Sequence, residues 1–372
     1  MEEVHIDTGR AQRTFENARA KFLANDTISQ RNRDLVGRYL REAALGKTIL
    51  GRAKKKVGPA RLSTYVYHLT HVINVVGKDI DQLSQEDMER FIEALETNKI
   101  ENRWVSPPRC LTILPPRPLS LHYSVDLKVS VKKFYKWLLG NNRTYPPLVD
   151  WIDTYARHKE ISSLTPGEVQ AMLDCSTSIR QKAIIQVLFD GGFRRDEFLN
   201  VRLRHLRKMT FVASGEQHAC FAARVVFSKT LARTVVLPMD ATTRLLGLWL
   251  QKHPGKPTVL TDGTIAAQDT SLPLFPVSSE GLAVMVRRLG RKAVQKRVYP
   301  HLLRHTSATY WANKLPYFKF CKRFGWTMTS KMPQRYIDRE GVDELEVAKI
   351  YQDSVQQERN QETALLARVD EV

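Results

Sequence analysis

Pro300-His301-Leu302-Leu303-Arg304-His305-Thr306 is the stretch from which the rest of the chain becomes readable. Proline suits the first position of a helix, where its missing N–H is no loss. His301, Arg304 and His305 then fall at i, i+3 and i+4, so one helix face presents a guanidinium flanked by two imidazoles. A guanidinium can hold two oxygens of one phosphate at once. An imidazole beside it can accept or donate a proton near neutral pH. Taken alone, the same residues also suit the solvated start of a basic helix.

Working outward, Gly191-Gly-Phe-Arg-Arg-Asp-Glu197 breaks the apolar run Ile184–Phe189 and opens a new turn. Glu197 lies three residues after Arg194 and can orient its guanidinium, leaving other donors for an outside oxyanion; a weak surface ion pair is the plain alternative. Arg195 beside it makes the choice of arginine ambiguous by one, and Arg194 is preferred because it follows Gly-Phe. Lys229 sits in Ser228–Ala232, which reads as a hairpin turn. Downstream, Phe324 to Asp338 contains Trp326 and Tyr336. An indole offers one N–H donor. A phenol is a poor nucleophile unless cations surround it and its target. Together, two arginines, a lysine, a histidine, an indole and a tyrosine describe a phosphoryl-transfer site. No acidic cluster for Mg²⁺ and no nucleotide-cradling loop accompany them, so neither metal nor cofactor is expected.

The charge fits a polyanionic partner. The 372 residues hold 58 Lys and Arg against 39 Asp and Glu, a net of +19. Residues 161–340 carry 28 basic and 12 acidic side chains, a net of +16, whereas 341–372 carry 3 and 8, a net of −5. So uneven a surplus suits nucleic acid. Four cysteines lie far apart, without ligand spacing for zinc or a disulfide framework. No long apolar run reads as a signal peptide or a membrane span, so a cytoplasmic protein without membrane contact is expected.

The pattern predicts a mainly α (α+β) protein. A polar extension, 1–27, precedes a helical bundle over 28–158, with helices at about 29–44, 62–76, 84–95 and 124–139. The basic run Arg52–Lys56 reads as a loop, solvated or touching phosphates. A linker, 159–163, leads to a mostly helical domain, 164–340, opened by Thr165 as N-cap with Pro166 behind it. Helices are expected at about 166–174, 178–190, 240–252, 279–293 and 301–313, with short antiparallel strands at 210–213, 220–227 and 233–237. The acidic tail, 341–372, carries one more helical pattern at 343–357.

The order Arg194, Lys229, His301-x-x-Arg304, Gly325-Trp326, Tyr336 resembles the tyrosine recombinases, the integrase family of site-specific DNA recombinases, over nearly the whole chain. Trp326 stands where most members have His. The Gly-Trp and Ser330-Lys-Met-Pro333 wording is similar to archaeal plasmid and virus integrases. The resemblance implies a core-binding bundle over 28–158 and a catalytic domain from 164. It implies that Arg194 and Arg304 clamp the scissile phosphate and Tyr336 attacks it. His301 accepts the phenol's proton or bonds the phosphate, Lys229 protonates the departing 5′ oxygen, and Trp326 bonds a phosphate oxygen. Glu197 braces the site, with His305 one shell back. The products implied by the resemblance are a 3′-phosphotyrosine and a free 5′-OH. The implied partners are two duplex recombination sites and a homotetramer on DNA, formed from a monomer or weak oligomer. The tail is expected to dock on its own domain or on a neighbouring protomer. A type IB topoisomerase would share this chemistry, and a silent DNA-binding regulator would share the fold.

Overall fold

In the computed structural model the described residues are 10–48, 56–97, 101–102, 117–155, 162–213, 215–228 and 232–340. They divide between positions 159 and 160 into two compact units. Lys229, the basic run up to position 55 and the helical pattern at 343–357 lie outside the described residues.

The first unit is a helical bundle: α1 (Arg10–Leu23), α2 (Gln30–Ala44), α3 (Pro59–Val76), α4 (Gln85–Glu96), α5 (Leu121–Leu138) and the short α6 (Pro147–Asp150). A two-residue ladder joins β1 (Glu101–Asn102) to β2 (Arg117–Pro118). Local chemistry sets the helix ends. Ser29 caps α2 by accepting from the Asn32 N–H, and Ser84 forms a reciprocal capping box with Asp87 on α4. α3 begins at Pro59 and stops at Gly77, whose φ of +67° is left-handed. On α2, Val36, Tyr39, Leu40 and Ala43 recur at helical spacing and are buried. The rings of Tyr39, Phe134 and Trp137 meet with centroids 5.2–5.6 Å apart.

One expectation is corrected here. The polar extension contains α1, which buries Ala18 and Phe22 in the bundle core, with Phe15 packed against it. A stripe of three apolar residues at spacings of three and four is enough to dock a helix whose other faces are charged.

The second unit contains α7 (Pro166–Cys175), α8 (Ile179–Gly191), α9 (Arg195–Leu199), β3 (Leu206–Ala213), β4 (Glu216–Val225), β5 (Arg233–Leu237) and α10 (Asp240–Gln251). After a short ladder, β6 (Thr258–Val259) with β7 (Ile265–Ala266), come α11 (Ser279–Val294), α12 (Pro300–Ala312), α13 (Tyr317–Phe324) and α14 (Gln334–Glu340). Thr165 caps α7 in a capping box with Glu168, as the sequence signature requires. The middle sheet runs β3-β4-β5, antiparallel throughout. In β5, Arg233, Val235 and Leu237 face inward while Thr234 and Val236 face out. β3 and β4 begin earlier than the apolar runs suggested, because their ladder continues through pairs with one polar member, such as Lys208 with Phe221 and Val212 with Gln217; β5 begins at Arg233 as expected. α9, α13 and α14 were not foreseen as helices; each is at most eight residues long, too short for a clear period. Helix α8 is buried along its length from Ala183 to Gly191, and α10 and α12 pack on it. Among the described residues, no helix is long and apolar enough to cross a membrane.

Candidate active site

The site gathers on α12. Arg304, one turn into that helix, is 3% exposed. Its Nη1 donates to the Gly192 carbonyl at 2.6 Å and its Nη2 to the Phe324 carbonyl at 2.7 Å. Gly192 ends α8 with φ +57°, and a Cβ there would lie 2.3 Å from the Phe324 ring. Only glycine permits that turn, which brings its carbonyl to Arg304 and leads into the N-cap of α9.

Arg194 is the N-cap residue of α9. Its backbone N–H donates to Glu197 Oε2 at 2.9 Å and its Nη1 to Glu197 Oε1 at 2.6 Å. Its Nη2 reaches the Gly325 carbonyl at 3.4 Å. The Arg194 side chain is 24% exposed, against 3% for Arg304. Arg195 turns away to Asp196. Glu197 also receives Arg233 Nη1 at 3.0 Å, Arg233 Nη2 at 2.9 Å and the Ser228 hydroxyl at 2.9 Å. Arg304 Nη1 lies 3.9 Å from it. One carboxylate therefore faces three guanidiniums, a local surplus of two positive charges. Burial alone would raise the Glu197 carboxyl, but the bonds and charges of Arg233, then Arg194, outweigh it and hold its pKa at about 2.

That depression has a pH consequence. The folded carboxyl titrates below its ordinary value of 4.5, so its contribution is present above about pH 4.5 and is lost as pH falls towards about 2. Denaturant titrations should find the second unit roughly 2 kcal/mol less stable at pH 3 than at pH 5 from this group alone. Glu197→Gln should lack that increment. An equal acid loss in the variant would show that other groups carry it.

The predicted nucleophile lies opposite. Tyr336, on α14, is 1% exposed, and its hydroxyl meets His305 Nδ1 at 2.5 Å. The phenol lies on Trp326 at 5.5 Å and 23°, and Trp326 lies on Phe324 at 4.9 Å and 18°. Arg304 sits 5.4 Å from the Trp326 ring centre, a cation over an aromatic ring. Burial pushes the Tyr336 phenol up to about 12, against the opposing charges of Arg304 and Arg335. His301 reaches the surface at the rim, its ring edge-on to His305 at 4.5 Å. The surrounding protein first, then Arg304 and Arg194, hold its pKa below the usual imidazole range.

The structure thus brings Arg194, Glu197, His301, Arg304, His305, Trp326 and Tyr336 together. It differs from the expectation in one respect: the nitrogen on the phenol belongs to His305, expected one shell back, and not to His301. Both histidines lie on the same helix face, and the approach of α14 selects the second. The sequence reading missed Arg233 altogether. Its signal was present, since an arginine in register with Val235 and Leu237 stands on the buried face of a strand. Among the described residues, no group of three His, Cys, Asp or Glu could hold a metal ion.

Comparison with known proteins gives a consistent picture. The phage integrase family model matches residues 162–341. The tyrosine recombinase XerA of Saccharolobus solfataricus is 25% identical over 254 residues, 68% of this chain and 73% of the relative. A tyrosine recombinase of Thermosipho africanus is 24% identical over 257 residues, 68% of this chain and 79% of the relative. Among solved structures, the XerH site-specific recombinase bound to a palindromic difH substrate superposes with a TM-score of 0.55 at 17% identity, over 94% of this chain and 98% of that one. A lambda integrase dimer bound to a core site gives 0.53 at 14% identity, over 83% and 96%. At these identities the structural likeness speaks for the fold alone.

Proposed function

We propose, for a chain that belongs to the tyrosine recombinases of the phage integrase family, that it breaks and rejoins duplex DNA at specific sites through Tyr336, in the service of integrating or excising a mobile element. The observation that carries this reading is the pairing of Tyr336 with His305 beside Arg304, in a cluster whose one carboxylate is outnumbered by three guanidiniums.

The chemistry follows from that geometry. Arg194 and Arg304 hold the non-bridging oxygens of the scissile phosphate, where negative charge grows in the transition state. The Tyr336 oxygen bonds to phosphorus as its proton passes to an imidazole, for which His305 is placed. The bond from phosphorus to the 5′ oxygen breaks, and that oxygen takes a proton from Lys229. His301, at the rim, and the Trp326 N–H bond the phosphate. The result is a 3′-phosphotyrosine and a free 5′-OH. Attack by a 5′-OH from the partner duplex reverses the step, so one phosphoester is exchanged for another without external energy. Tyr336 is 1% exposed and in this position meets no duplex, so α14 must shift from Trp326 when DNA is engaged.

In this reading the bundle over 28–158 binds DNA with the catalytic unit from 164, and four protomers act on two sites. The acidic tail, 341–372, makes the contact with the protomer's own domain or its neighbour.

The experiment is to mix the protein with fragmented DNA, stop with SDS, and sequence the fragments left attached. Adducts at one discrete sequence are expected. Scattered adducts would move the reading to a type IB topoisomerase, and binding without adducts would move it to a DNA-binding regulator.

A further inference from the structure

We infer that Arg233 is a positioning residue for this cleavage step, holding Arg194 in place against the turn at Gly325. The assignment rests on the reading just given. The Arg233 side chain is 3% exposed and all three of its nitrogens donate to protein acceptors, so whatever it does passes through its partners. It has three of them. Nη1 and Nη2 grip the two oxygens of Glu197 at 3.0 and 2.9 Å, a fork closing on a carboxylate. Nε donates to the Arg323 carbonyl at 2.8 Å, at the end of α13. Nη1 also touches the Ser228 hydroxyl at 3.5 Å, one residue before Lys229 in the sequence.

Each partner leads to a residue of the site. Glu197 holds both the backbone and the guanidinium of Arg194. Arg323 lies two residues before Gly325, whose carbonyl accepts from Arg194 and whose chain continues into Trp326. Gly325 has φ +62°, and a Cβ there would fall 2.7 Å from Arg233 Nη1. The missing side chain at Gly325 therefore makes room for the Arg233 fork. Take the fork away and the Glu197 carboxylate keeps only its bonds to Arg194 and Ser228, so that carboxylate and Arg194 guanidinium can shift together. A lysine could supply the charge but not the two parallel bonds and the third to Arg323.

The test uses the full chain and the duplex recovered from wild-type adducts. Single-turnover adduct formation is measured at saturating DNA for wild type, Arg233→Lys, Gly325→Ala, Arg194→Ala and the double variant Arg194→Ala/Arg233→Lys. Arg233→Lys is expected to slow the step by about 30- to 100-fold, the scale of a catalytic group displaced by an ångström. DNA affinity should stay within about twofold, because the lost interaction serves the transition state and not binding. Gly325→Ala should slow the same step from the other side of the clamp. In the Arg194→Ala background, followed over hours, adding Arg233→Lys should change the residual rate by less than about threefold, since a residue that acts through Arg194 has nothing left to position. Independent, multiplying losses would overturn the assignment. So would a wild-type rate in Arg233→Lys, or loss of cooperative melting in both Arg233→Lys and Gly325→Ala, which would make Arg233 a stability residue. If wild type forms no adduct, the recombinase reading falls and this one with it; if wild type reacts and the variants match it, this one falls alone.

Discussion

Tyr336→Phe is expected to abolish covalent attachment to DNA while leaving folding and DNA binding close to wild type. The substitution removes a single oxygen. The ring remains, so the stack on Trp326 and the edge contact with Phe320 survive. The fold loses one hydrogen bond, to His305, at a cost of about 1 kcal/mol. The melting temperature should therefore fall by only about 3 °C. The chemistry loses its nucleophile, and loss of a nucleophile in a covalent mechanism costs on the order of a million-fold, below detection in a gel assay. SDS-resistant adducts, mobility shift and thermal melting, run side by side, separate the three effects. Adducts that persisted at wild-type level would place the nucleophile elsewhere. Tyr317, on α13 and 38% exposed, would be the first to examine, because no other tyrosine lies between it and Tyr351.

What the sequence made legible, and what it did not, follows the range of the interactions. The shared face of His301, Arg304 and His305 and the i, i+3 relation of Arg194 to Glu197 are local, and helix geometry alone delivers them. So are the caps at Ser84 and Thr165. The choice of His305 over His301 for the phenol is not local. Tyr336 is 31 residues further on, and nothing in the helix period says which imidazole α14 will meet. Arg233 is a similar case, since its carboxylate partner lies 36 residues back and only the strand alternation marks the arginine as inward. Helix α1 was overlooked for another reason: its docking stripe is three residues wide in a run that is otherwise charged.

Glu197→Ala should be the most damaging substitution to stability at the site. Wild type gathers three guanidiniums around one carboxylate, with Arg233 and Arg304 buried, and the cost of desolvating those cations is offset by the anion between them. Removing it leaves Arg233, 3% exposed, with no carboxylate, and leaves Arg194 and Arg304 facing it with like charge. Breaking a buried pair by deleting one partner costs about 3–5 kcal/mol, which lowers the melting temperature of a unit this size by roughly 10 °C. Glu197→Gln should lose less, because an amide oxygen still accepts from one arginine, though its NH₂ then faces another donor. Inorganic sulfate or phosphate should restore part of the loss in Glu197→Ala in a concentration-dependent way, since an anion entering the vacated space binds the folded state alone. Melting scans with and without sulfate decide the matter. A Glu197→Ala protein that melted within about 2 °C of wild type would mean that the arginines separate into solvent when the carboxylate is gone. The charge surplus would then be a property of the carboxylate's grip and not of the fold, and the phosphate clamp would have to be assembled by DNA itself.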